Sequence, residues 1–242
     1  MKEPDRNYQI TREDDISYND CHIFYIETGW AMSALFISGS TSLHSKTDIV
    51  LNILQQELAG QGVASERISP RDFEPSALIN LNFSDAAIIR FQQKVQQAQV
   101  IVIGTPIYQA SFSGSLKLLL DLIPDRGLHH KIVLALATAG SDSHLLVPDY
   151  TLKPIFSALG ATHLLRSLYV NSREITVTPS GEYLIPDPIR ERLQESAAQI
   201  IAALDPTPSA HLAPGGITSQ PWQPAIGLNK PPTHNPTVEL QR

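Results

Sequence analysis

From Ala34 onward, apolar positions switch between a short continuous rhythm and a helical one. Ala34–Ser38 is a compact apolar run and predicts a strand. Lys46–Ala59 predicts a helix, with Ile49, Ile53, Leu54 and Leu58 on one face. Val63–Ser69 is a weaker strand, and Ser84–Gln97 a helix capped by Ser84 and Asp85. Val100–Gly104 is the strongest buried strand. Ser111–Ile123 follows as a helix, with Phe112, Leu116, Leu119, Leu120 and Ile123 on one face and Ser111 as its N-cap. Lys131–Thr138 is another buried strand, Ser143–Leu159 a helix containing two prolines, His163–Val170 a fifth strand and Pro188–Leu204 a closing helix. Five strands alternating with helices predict an α/β three-layer sandwich around a five-stranded parallel sheet. Right-handed crossovers favour the strand order 2-1-3-4-5.

The flanks lack this rhythm. Residues 1–31 are polar and acidic, and Met32 opens directly onto the first strand. They read as a flexible N-terminal extension, either a real arm or an upstream mis-start with Met32 the natural beginning. Residues 206–242 are proline-rich without an apolar face and read as a tail, with a subunit-clasping arm as the alternative. Residues 32–205 form the expected domain.

Composition narrows the class of function. The net charge of −6 removes any global attraction to nucleic acid or anionic membranes. The lone cysteine, Cys21, allows no intrachain disulfide. No run is long and apolar enough to span a bilayer, and the amino terminus is unlike a secretory signal. The expectation is a soluble cytoplasmic protein.

In an open parallel sheet, ligands bind beyond the carboxyl ends of the strands. Three connections meet there. The first, Gly39–Thr47, reads GSTSLHSKT. It offers a glycine for a tight turn, several hydroxyls, a helix amino terminus and Lys46. This suits a phosphate, although it is neither G-x-x-x-x-G-K-[ST] nor G-x-G-x-x-G, and a simple helix cap explains it equally. The second, Thr105–Ser111, has Pro106 to fix the backbone and Tyr108 to offer a flat ring. The third, Thr138–His144, has small residues at Ala139 and Gly140 that leave room and expose amides. Each alone reads as ordinary turn chemistry. Together they match a mononucleotide lying across the sheet edge.

Two segments, TPIYQASFSGSLKLLLDLIP and ATAGSDSHLLVPDYTLKPIFSALGA, resemble the NAD(P)H-dependent FMN reductases of the alkanesulfonate-utilisation type, within the flavodoxin-like superfamily. The resemblance covers roughly Ala34–Leu204. It implies that Ser40, Ser45, Lys46 and Thr47 hold the FMN phosphate. It implies that Pro106, Ile107 and Tyr108 line the isoalloxazine with Ser111 and Ser113 nearby, and that Thr138, Ala139, Gly140 and Ser141 flank it from the other side. It also implies NADPH or NADH as hydride donor, a homodimer or homotetramer, and a flavin-dependent monooxygenase that receives reduced FMN, such as one acting on alkanesulfonates. One departure stands out: the family commonly has Pro-Arg where Thr41-Ser42 stand here. Arg126 and Arg173 are candidates for the 2′-phosphate of NADPH, and the sequence assigns neither.

Pro154 lacks an amide hydrogen and clashes with the carbonyl of Tyr150 four residues earlier. Either a plain kink or a π-bulge relieves this. In the resembled family the matching tyrosine forms a π-helix at the subunit interface, in reductases that release flavin as a substrate.

No metal site is expected. His44 and His144 lack a second histidine at ligand spacing, and His129-His130 are adjacent. No side chain is singled out as a catalytic acid or base, because the cofactor carries hydride chemistry. The alternatives are a flavin-retaining quinone or azo reductase, a flavodoxin-like electron carrier without a nicotinamide site, and a non-enzymatic redox-sensing or assembly module.

Overall fold

The computed structural model describes residues 33–177 and 183–205. The segments expected to be an N-terminal extension and a proline-rich tail lie outside the described residues. The chain begins with β1 (Ser33–Ser38), α1 (Lys46–Gly60) and β2 (Ala64–Ile68). A 3-10 turn at Pro70–Asp72 leads to the short α2 (Pro75–Ile79) and then α3 (Ala86–Gln97). Next come β3 (Val100–Tyr108), β4 (Ser111–Phe112), α4 (Gly114–Leu120) and β5 (Ile132–Ala139). A π-helical turn at Pro148–Leu152 runs into α5 (Lys153–Ala158). β6 (His163–Leu164), β7 (Leu168–Asn171), β8 (Thr176–Val177), β9 (Tyr183–Leu184) and α6 (Asp187–Leu204) complete the described chain.

The parallel strands run in the order β2-β1-β3-β5, with β6 and β7 both pairing with β5 beyond it. This is the expected 2-1-3-4-5 sheet, with its fifth strand broken between Leu164 and Leu168. Alternation along the strands divides the core into two layers. Leu35, Ile37, Ile101, Ile103, Val133 and Ala135 face Phe91, Leu116, Leu119 and Phe156 on one side. Phe36, Val100, Val102, Leu134 and Leu136 face Leu51, Leu54, Leu193 and Ile200 on the other.

Three local expectations are corrected. The buried stripe of α1 is Thr47, Val50, Leu51, Leu54 and Leu58; Ile49 and Ile53 are only half-buried. The helix packs against both the sheet and α6, so its apolar positions serve two neighbours rather than one. Asp85 alone caps α3, its Oδ1 accepting the amides of Ala87 at 2.8 Å and Ile88 at 3.3 Å. Ser111 is no N-cap: it pairs with Tyr108 in β4, and Ser113 caps α4 by accepting the Leu116 amide.

At the opposite, amino edge, Lys131 is buried and closes the end of α3. Its Nζ donates to the carbonyls of Gln96 at 2.9 Å and Ala98 at 2.7 Å. Burial lowers its pKa from the ordinary 10.5 to about 8. Between these two values the unfolded chain still holds the proton that the folded chain has released, so this group makes stability rise with pH there. The stability of the native protein relative to Lys131→Met is therefore expected to increase from pH 8 to 10.5, as read by urea denaturation.

Candidate functional site

The first loop is shaped by its own serines. The amides of Ser40, Ser42 and His44 each donate to the hydroxyl two residues earlier, on Ser38, Ser40 and Ser42. Ser45 caps α1, its Oγ accepting the Asp48 amide at 3.0 Å. The hydroxyls of Ser40, Ser42 and Ser45 thus act as acceptors inside the loop, and each keeps a proton to donate. The Ser38 hydroxyl instead donates to Asp48. Arg71 ties the assembly from outside, donating to the Ser42 carbonyl at 2.7 Å and pairing with Asp48 at 3.2 Å.

Lys46 and Thr47 are turned elsewhere. Lys46 Nζ donates to the carbonyls of Ser172 at 2.5 Å and Ile175 at 2.9 Å. Thr47 is buried, and its hydroxyl shares a hydrogen bond of 2.6 Å with that of Thr138. This bond joins the first loop to the third across the sheet edge.

The second connection is a hairpin and not a strand-to-helix loop. β3 continues through Pro106, Ile107 and Tyr108, then reverses at Gln109 and Ala110. Both turn residues have positive φ, 48° and 61°. A two-residue turn of this kind matches the twist of the strands it joins. It holds Tyr108 out in solvent, 58% exposed, with Ser111 opposite it. Beneath the hairpin, Thr105 Oγ1 accepts the Ser113 amide at 3.0 Å, and the Ser113 hydroxyl donates to the Gly39 carbonyl at 2.6 Å. The second connection is thereby fastened to the first.

The third loop starts at Thr138, which pairs in register with Pro106. Ala139 packs with Ala137, Tyr169 and Ile107 in a small cluster of its own. The Tyr169 hydroxyl donates to the Ser141 carbonyl. Burial, with Asp142 nearby, raises the pKa of that phenol, so it remains a donor. Ser141 Oγ accepts the Ser143 amide at 3.3 Å.

All three connections meet at the carboxyl edge of β1, β3 and β5. Gly39 fits this junction only without a side chain: a Cβ would lie 2.7 Å from Leu116 Cβ and 2.8 Å from Ser113 Oγ. The donor set suits a phosphorylated flat ring, with a cluster of hydroxyls at one end and small residues and an aromatic at the other. Ser42, Arg71, Thr105 and Tyr169 belong to this framework and were missed as contributors. Ser42 and Thr105 carried a visible signal as hydroxyls within the loops, whereas Arg71 and Tyr169 reach the site from distant segments.

Pro148–Leu152 is one π-helical turn centred on Tyr150. The Lys153 amide donates to the Pro148 carbonyl, and the Thr151 hydroxyl to the Val147 carbonyl at 2.7 Å. Pro154, with no amide to give, lies just inside α5. Lys153 pairs with Asp149 across the turn at 2.6 Å. Burial pushes the Asp149 carboxyl up, but the bonds from Lys153 and Ser167 outweigh it and hold its pKa low. Tyr150 is 74% exposed, and Leu145 and Leu146 are more than half exposed just before it.

Among the described residues no helix is long and apolar enough to cross a membrane. Residues 32–174 match the model of a family described as NADPH-dependent FMN reductase. An FMN reductase (NADPH) of Pseudomonas putida is 38% identical over 190 residues, covering 78% of this chain and 96% of that protein. An FMN reductase (NADPH) of Escherichia coli is 36% identical over 144 residues, covering 60% of this chain and 75% of that protein. A Pseudomonas fluorescens protein named NADH-dependent FMN reductase SfnF is 30% identical, covering 69% and 88%. Among solved structures, apo NADH:FMN oxidoreductase (EmoB) superposes with a TM-score of 0.64 at 29% identity, covering 74% of this chain and 92% of that one.

Proposed function

Since the chain belongs to the NADPH-dependent FMN reductase family, we propose that it reduces FMN with NADPH or NADH and releases reduced FMN to a partner monooxygenase. The observation that carries this reading is the convergence of three loops on one sheet edge, cross-linked by the Thr47–Thr138 and Ser113–Gly39 hydrogen bonds. Bound there, FMN would accept hydride from the reduced nicotinamide. Ser40 and Ser45, with Ser42, present hydroxyls to the phosphate, and the α1 amino terminus adds its dipole. Lys46 adds charge from the flank, and Thr47 keeps the phosphate and ring loops in register. Pro106, Ile107 and Tyr108, backed by Ser111 and Ser113, line one side of the ring. Thr138, Ala139, Gly140 and Ser141 line the other, and backbone donors at the pyrimidine end would favour negative charge there. No side-chain acid is required.

The subunits pair through the surface carrying Leu145, Leu146 and Tyr150, as a homodimer or homotetramer. Tyr150 on its π-helical turn supports release of flavin over its retention, and an alkanesulfonate monooxygenase is the proposed recipient. The test is anaerobic oxidation of NADPH and NADH with FMN, FAD and riboflavin as acceptors. Turnover with FMN is expected, and Ser40→Ala should raise the KM for FMN while leaving that for riboflavin unchanged. Equal effects on both flavins would remove the phosphate assignment. Yellow colour retained through dialysis would favour a quinone or azo reductase, and no nicotinamide oxidation an electron carrier.

A further inference from the structure

The two arginines that the sequence left unassigned lie at opposite edges of the sheet. Arg126 sits in the turn before the amino end of β5, where it lines a cavity of about 520 Å³ with Gln92, Gln96 and Lys131. Its guanidinium contacts the His129 ring at 3.3 Å. Arg173 follows the carboxyl end of β7, on the edge where the three loops meet. Its side chain lies directly beside the third loop: a Cβ on Gly140 would be 3.5 Å from Arg173 Nε and 3.9 Å from its Cγ.

The turn bearing Arg173 is held from several sides. The Ser172 amide donates to the Ala139 carbonyl at 2.7 Å. Lys46 Nζ reaches across from α1 to the carbonyls of Ser172 and Ile175. Asn171 Nδ2 donates to Asp142 at 3.0 Å, and Asn171 Oδ1 accepts the Arg173 amide at 3.1 Å. Each bond ties the turn to the phosphate loop, to the ring loop or to its own start. Arg173 itself remains exposed. A flexible surface arginine costs side-chain entropy to immobilise on a ligand. Here the backbone that carries it is fixed in advance, and a planar fork of donors is presented beside the ring platform.

Resting on the proposed reductase activity, we infer that Arg173 binds a phosphoryl group of the reduced nicotinamide nucleotide, and that Lys46 is the positioning residue that holds the Arg173 turn. The chemistry recognised is a phosphate oxygen pair, supplied by either the 2′-phosphate or the diphosphate bridge of the nucleotide. Lys46 thereby couples the flavin phosphate loop to the nucleotide side of the site.

Steady-state kinetics with saturating FMN and each nucleotide separate these sources. Arg173→Ala should raise the KM for NADPH about tenfold or more, the scale of a charge-assisted hydrogen bond, with kcat changed less than about twofold. A rise confined to NADPH assigns the 2′-phosphate, and an equal rise for NADH assigns the diphosphate. Arg173→Lys should recover part of the loss, because it keeps the charge without the fork. Lys46→Met should move the nucleotide KM in the same direction by a smaller factor. Unchanged KM values for both nucleotides in Arg173→Ala would overturn the inference while leaving the reductase reading intact. So would a defect that appears with FMN but not with riboflavin as acceptor. If the native protein oxidises neither nucleotide, the reductase reading itself fails and this inference with it.

Discussion

Gly39→Ala is expected to lower stability by about 1–3 kcal/mol, the usual cost of forcing extra atoms into a packed site, and to raise the KM for FMN by more than tenfold, about 1.4 kcal/mol. The added Cβ would meet Leu116 Cβ at 2.7 Å and Ser113 Oγ at 2.8 Å. Neither neighbour can step aside cheaply. The Leu116 Cβ is fixed to the backbone of α4, and Ser113 Oγ caps that helix while donating to the Gly39 carbonyl. The strain therefore separates the first loop from the hairpin beneath Tyr108, and two walls of the proposed site move apart. Urea denaturation measures the first effect, and flavin titration the second. A variant with native stability and native FMN affinity would show that this junction is more compliant than its packing indicates. Gly60 is a control, since a Cβ there meets nothing within 4 Å.

Tyr150→Ala is expected to alter assembly and flavin residence more than folding. The side chain is 74% exposed, so its removal sacrifices little of the core. The turn beneath it is held by other groups, namely the Lys153–Asp149 pair and the Thr151 hydroxyl on the Val147 carbonyl. With Leu145 and Leu146 it offers an apolar surface at the end of the third loop, the surface proposed above to pair subunits. The expected results are a shift toward smaller species in analytical ultracentrifugation and FMN that co-purifies and turns over slowly. An unchanged far-ultraviolet circular dichroism spectrum would show that the protomer fold is intact. Unaltered assembly and flavin release would refute the role given to Tyr150.

The alternation of apolar runs with helical stripes determined the layers, and right-handed crossovers favoured the sheet order. A run such as Val100–Ile103 is apolar on successive positions, as in a short strand covered on both faces. Local chemistry was likewise visible: Asp85 as a cap, the hydroxyls of the first loop, and the helix break imposed by Pro154. These signals are short-range, carried by a residue and its neighbours within a turn.

What tertiary structure decided is where polar side chains point. Lys46 reads in sequence as a cation on a phosphate loop, yet its ammonium lies on carbonyls 126 and 129 residues away. Thr47 finds Thr138 only because β1 and β5 flank β3. The hairpin at Gln109-Ala110 carries no Asn-Gly signal, and two non-glycine residues accept positive φ because β3 and β4 pair around them. Arg126 and Arg173 look alike in sequence, and the sheet puts one at its amino edge and the other beside Gly140. Hydrophobic periodicity reports burial, which is a property of each element and is written in its own residues. The partner of a hydroxyl, an ammonium or a guanidinium depends on which distant carbonyl the fold brings within about 3 Å.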